Sequence, residues 1–304
     1  MSNVTKQCES DCDKLPSNNG VELIVKPKEK NLGEFSVRRV LPSVQRKKVG
    51  PWVFFDHMGP AHFAAGNGVN VRPHPHIGIA TVTYLFDGEI LHRDSLGSYQ
   101  LIHPGDINLM VTGRGIVHSE RERPEVKQVP HRAHGLQLWL ALPKEQEEIE
   151  PAFYHYPAKD IPSLSVGGVP VRVMMGHIYG VSSPVKVFSE TLYLEAHLQA
   201  GQFLKLPLAE ERAVYVAAGN LKVKNTVIPE HTMAFFTHDP EIIVEATSES
   251  RIALIGGQAF EKRFIEWNFV SSRKERIEQA KTDWKEGRFA KVPGDEVEFI
   301  PLPD

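Results

Sequence analysis

Cysteine is almost absent from this chain: Cys8 and Cys12 are its two examples in 304 residues. Both lie in a polar opening segment that no core could use. A disulfide framework is therefore excluded, and a reducing, cytoplasmic setting is expected. Cys8-x3-Cys12 has no second pair elsewhere to complete a four-ligand zinc site, so the two thiols are read as redox-silent. Long apolar runs are missing too. No stretch approaches the roughly 18 uninterrupted apolar residues of a membrane span, and residues 1–20 lack the charged-then-apolar order of a signal peptide. Neither charge sign prevails: 35 Lys and Arg against 38 Asp and Glu leave a net charge of −3. No global basic field exists to hold nucleic acid or anionic lipid, so neither is expected as a direct partner.

What the chain does have is strand text. Residues 1–20, rich in Ser, Asn, Asp and Lys, read as a mobile tail. From residue 21, short segments rich in β-branched and aromatic residues recur at 21–25, 36–40, 52–55, 79–86, 107–112 and 136–142, separated by Gly, Pro, Asp and Asn. An acidic, proline-spotted stretch, expected as a linker over 144–168, precedes a second series of the same texture, beginning at 169–175 and ending at 251–256. The expectation is an all-β chain of two barrels or sandwiches, one over 21–143 and one over 169–304. Near the end, Ser272 and Glu275 have the spacing of a capping box, and Ile277, Ala280 and Trp284 follow at helical spacing before Gly287. A terminal amphipathic helix is expected to lay that face on a barrel.

Histidine is concentrated. Nine of 14 (57, 62, 74, 76, 92, 103, 118, 131 and 134) fall between His57 and His134. His74-Pro75-His76 opens a β-like segment, so its two imidazoles share one face, and His118-Ser119-Glu120 repeats the i, i+2 geometry after the turn Gly113-Arg114-Gly115. If the two segments meet in one barrel, three imidazoles and one carboxylate converge. Without thiolates, that donor set suits one divalent Fe, Mn, Ni, Cu or Zn ion rather than Ca or Mg, and four protein ligands would leave two octahedral positions open. The other six histidines of the cluster are read as supporting, loop or surface residues.

At these residues the sequence resembles the pirin family of the cupin superfamily. The matching text includes Phe55-Asp56-His57-Met58-Gly59-Pro60, Arg72-Pro73-His74-Pro75-His76-Ile77-Gly78, Thr81-Val82-Thr83-Tyr84-Leu85-Phe86-Asp87-Gly88 and Gly113-Arg114-Gly115-Ile116-Val117-His118-Ser119-Glu120. The resemblance spans about residues 21–287. It implies two facing cupin barrels, with one metal, iron first among the candidates, on His74, His76, His118 and Glu120 of the first. It also implies a degenerate second barrel whose His197, His231 and His238 make no site. One departure stands out: the slot four residues after the second histidine, commonly Glu in the family, is Ala80 here.

Two functional classes follow from the resemblance. Some pirins resemble quercetin 2,3-dioxygenases, which implies a small aromatic flavonol substrate, dioxygen, and a catalytic role for Glu120 as proton acceptor. Phe55, Met110 and Trp139 are the expected pocket walls. Other pirins resemble metal- or redox-sensing regulators, which implies a protein partner, a transcription factor or a metabolic enzyme. Arg38, Arg39, Arg46, Lys47 and Lys48 would then offer it a basic stretch.

Overall fold

The computed structural model describes residues 12–14 and 20–303. Each series of strands closes into its own pair of antiparallel sheets. In the first barrel a seven-stranded sheet runs, edge to edge, through Ala152–Tyr156, Ile107–Val111, Ile79–Asp87, His131–Ala141, Trp52–Phe63, Ser36–Leu41 and Lys28–Asn31. Opposite it lies a four-stranded sheet of Asn70–His76, Ile116–Arg121, Ile90–Asp94 and Tyr99–Ile102. The second barrel pairs an eight-stranded with a four-stranded sheet. No helix among the described residues is long and apolar enough to cross a membrane.

The barrels share a core. Apolar side chains from the large sheet of each form one buried cluster, in which Phe55, Ala80, Val82 and Leu138 of the first meet Tyr193, Tyr215 and Phe235 of the second. Trp52 pins the seam: its indole Nε1 donates to the carbonyls of Leu192 at 3.2 Å and Gly256 at 3.1 Å, and its ring meets Tyr193 edge-on. Beside it Tyr84 donates to Glu195, which also accepts from Arg251 Nε at 2.6 Å.

The chain crosses the expected barrel limits three times. Val21–Val25 pairs with Met233–Phe236 in the second barrel, not the first, and Cys12–Lys14, expected in the tail, pairs with Leu23–Val25. Cys8 lies outside the described residues. Within the expected linker, Ala152–Tyr156 joins the first barrel's large sheet beside Ile107–Val111, and Ser163–Val166 joins the second barrel beside Val169–Met175. The third crossing is terminal. The hairpin Phe264–Glu266/Phe269–Ser271 and the helix Lys274–Lys285 return to the first barrel, where Ile77, Phe269, Ile277 and Ala280 make one buried cluster.

That helix has the expected buried Ile277 and Ala280, but not the expected cap. Arg273 is the N-cap residue and no side chain caps it, because Glu147 has taken the serine hydroxyls: Ser271 Oγ donates to it at 2.9 Å and Ser272 Oγ at 2.8 Å. The serines fasten the helix to the first barrel instead.

Candidate metal centre

Antiparallel pairing brings the histidines together. In the ladder between Asn70–His76 and Ile116–Arg121, His118 stands opposite His74, while His76, two residues along, points to the same side. Ring centroids lie 4.4 Å apart for His74 and His118, 4.9 Å for His74 and His76, and 5.1 Å for His76 and His118. One ring nitrogen from each falls within 4.8 Å of the other two. Burial disfavours the imidazolium, lowering His74 to about 4 and His76 and His118 well below their ordinary value. At neutral pH all three are neutral donors.

Their tautomers follow from their partners. A carbonyl accepts only, so His74 Nδ1–H donates to Arg72 O at 2.8 Å and His76 Nδ1–H to Asn268 O at 3.2 Å, leaving each Nε2 with a lone pair. His118 Nδ1 lies 3.5 Å from His92 Nδ1, and His92 Nε2 lies 3.0 Å from Asp94 Oδ2. The carboxylate fixes the proton on His92 Nε2, so His92 Nδ1 accepts from His118. His118 Nε2 is buried without a partner. An orphaned acceptor of this kind costs about 1–3 kcal/mol, and a metal ion would satisfy it, so these residues fit the ion their chemistry suggests.

Glu120 does not join the three. The register shift past His118 puts the extra residue in Asn70–His76, between Val71 and His74, while His118, Ser119 and Glu120 pair without interruption with Asp94, Arg93 and His92. Glu120 Oε1 lies 3.3 Å from Thr83 Oγ1 and 3.4 Å from Gln137 Nε2. Both contacts are long, so the carboxylate is loosely held. Burial pushes its carboxyl up, against the opposing pull of His92, Thr83 and Gln137. His74, His76 and Glu120 line one cavity of 360 Å³ whose walls are mainly apolar.

Of the expected walls, Trp139 lines this cavity, meeting His76 edge-on at 4.9 Å. Phe55 does not; it is fully buried at the seam against Tyr215. Its neighbour Phe54 holds the place, stacked on Trp139 at 3.9 Å. Met110 is buried outside the cavity lining. Thr83 and Gln137 also face the cavity. Gln137 could have been read from the period of two, since it precedes Trp139 by two, whereas Thr83 could not, because the same period counted from the expected Ala80 slot selects the opposite face. Asn268 and Trp267, from the returning hairpin, carried no local signal. The basic stretch is largely spoken for: Arg39 pairs with Asp56, Arg46 with Glu22 and Lys48 with Glu211.

The chain matches two family models, Pirin over residues 34–140 and the Pirin C-terminal cupin domain over 193–290. It is 46% identical over 289 residues to a pirin-like protein of Caulobacter vibrioides, covering 93% of this chain and 100% of that one. This chain belongs to the pirin family. Human pirin is 30% identical over 285 residues, covering 90% of this chain and 95% of its own length. Among solved structures, a quercetin 2,3-dioxygenase from Acinetobacter baumannii superposes with a TM-score of 0.87 at 32% identity, covering 95% of this chain and 96% of that one.

Within the pirin fold, Ala80 proves not to be a lost acid at the site. Its methyl is buried in the core between the barrels, on the face of Val82 and Tyr84, while Thr83 faces the cavity. In the second barrel, among the described residues, no three potential ligands come together as His74, His76 and His118 do. His197 bonds Glu195 at 3.0 Å, and the His231 ring lies 5.5 Å from that of His57.

Proposed function

We propose that this pirin is a metal-dependent dioxygenase of flavonol-type substrates, with iron on His74, His76, His118 and Glu120, working in the cytoplasm. The observation that carries the reading is the convergence of three neutral imidazoles at the edge of a mainly apolar cavity of 360 Å³, which His74 and His76 line together with the loosely held Glu120 carboxylate. That volume suits a small planar ligand. A bound divalent iron would supply Lewis acidity toward vicinal oxygens and redox capacity toward dioxygen.

The chain's own residues do the rest. Trp139, stacked on Phe54, offers a flat wall beside His76. Leu85, Ile90 and Leu136 exclude water. Glu120 accepts the substrate's hydroxyl proton at a carboxylate oxygen, which its place in the lining of the cavity leaves within reach of a bound ligand. Thr83 and Gln137 keep that carboxylate facing the cavity. The likeness to the Acinetobacter dioxygenase supports the same assignment.

The test is oxygen uptake by the iron-loaded protein with quercetin. Glu120→Gln keeps an amide oxygen able to coordinate but takes up no proton at neutral pH, so the rate should fall about a hundredfold or more. An unchanged rate would refute the base role. A metal-loaded wild type inert toward flavonols would overturn the dioxygenase reading in favour of a partner-binding regulator.

A further inference from the structure

Beside the metal cavity lies a groove of 440 Å³ whose charge the proposed chemistry does not use. Alternate residues of an extended segment share a face, and Lys26, Lys28 and Lys30 all line this groove while the intervening Glu29 lines a different one. Arg39 adds a fourth cation. No Asp or Glu lines the groove among the described residues. Arg39 is held bidentately by Asp56, at 2.9 and 2.8 Å, and Lys30 also acts on that buried carboxylate from a distance. None of the three lysines forms an ion pair within 4.0 Å among the described residues. All three lysines are exposed, so their mutual repulsion is screened by water and salt, and an anion seated among them would gain a correspondingly salt-dependent attraction.

Groove and metal cavity are neighbours. Arg39, Phe54, Trp139 and Trp267 line both. A column of planes connects them: the Arg39 guanidinium lies 4.4 Å from the Phe54 ring, Phe54 stacks 3.9 Å from Trp139, and Trp139 meets His76 at 4.9 Å. At the threshold Trp267 occupies a left-handed turn position, φ 53°, that ordinarily favours glycine.

We propose that the groove is a subsite for an anionic substituent, so that the substrate is a planar aromatic chelator bearing a negative group, such as a sulfonate or carboxylate, remote from its chelating oxygens. This specificity rests on the dioxygenase reading for its direction, but binding in the groove is measurable without turnover. The chelating end reaches the histidines and the charged end meets Lys26, Lys28 and Lys30.

The experiment compares quercetin with its monosulfonated derivative, followed by quenching of tryptophan fluorescence, in the wild type and in the triple variant Lys26→Gln, Lys28→Gln, Lys30→Gln. The wild type should bind the sulfonate about tenfold tighter than quercetin at low salt, with the preference fading at high salt. The triple variant should lose that preference and keep its affinity for quercetin. Equal wild-type affinities, no binding of the sulfonate, or an undiminished preference in the variant would each overturn the subsite. Oxygen uptake with either compound judges the dioxygenase reading separately, and a sulfonate preference without turnover would leave the subsite standing alone.

Discussion

Asp94→Asn probes how the protein holds His118. Asp94 is fully buried; Oδ1 accepts from the amides of Leu96 at 2.9 Å and Ser98 at 3.0 Å, and Oδ2 faces His92 Nε2 at 3.0 Å. Burial alone would raise its carboxyl, but the bonds from His92 and Ser98 outweigh it and hold the group below its ordinary range. In the asparagine variant Oδ1 keeps the two amides, so the new NH₂ must face His92. It can only donate, which moves the His92 proton from Nε2 to Nδ1. His92 Nδ1–H would then confront His118 Nδ1 at 3.5 Å, where His118 needs its own proton in order to offer Nε2 to a metal. Partners behind ligating histidines are worth about 10–100-fold in metal affinity, and the long 3.5 Å contact places this one near the lower end, about 1.4–2 kcal/mol. Competition against a chromophoric chelator for nickel or iron(II) measures it. Nitrogen chemical shifts of His92 report the tautomer, and the melting temperature of the metal-free protein controls for folding. Wild-type affinity in a well-folded variant, or an unmoved His92 proton, would refute the relay.

Two other outcomes are expected. His76→Ala should empty the centre while leaving the fold largely intact, since His76 is one of only three converging imidazoles; elemental analysis showing stoichiometric metal in the variant would sink the assignment. Glu195→Gln should destabilise the seam between the barrels. Burial raises the Glu195 carboxyl, but His197, Arg251 and Tyr84 outweigh it and bring it to about 2, against an ordinary 4.5. A folded pKa depressed by that much contributes about 3 kcal/mol, fully present above pH 4.5 and lost as pH falls through about 2. Urea unfolding should therefore show a gap between wild type and variant at pH 7 that narrows toward pH 3, and a pH-independent gap would refute the linkage.

The centre was legible where its signal was local. His74, His76 and His118 announce themselves through i, i+2 spacing, which any extended strand converts into a shared face. The same rule failed for Phe55 and Ala80. The first eight residues of Trp52–Phe63 and the first seven of Ile79–Asp87 are buried on both faces, so no polar alternation marks which side meets the cavity and which the second barrel. Glu120 shows a further limit: i, i+2 spacing placed it on the face of His118, but not that its carboxylate would sit beside Thr83 and Gln137, which come from strands of the opposite sheet.

Composition and periodicity alone thus determined an all-β chain in two halves, with a histidine centre in the first. Which barrel each edge strand completes was decided in three dimensions, because Val21–Val25 is apolar enough for either and pairs with Met233–Phe236 through register. So was the closure of the site. Asn268 holds His76, and Trp267 borders the cavity, only because the terminal hairpin packs Phe269 against Ile77, a contact between residues almost two hundred positions apart that no local pattern encodes.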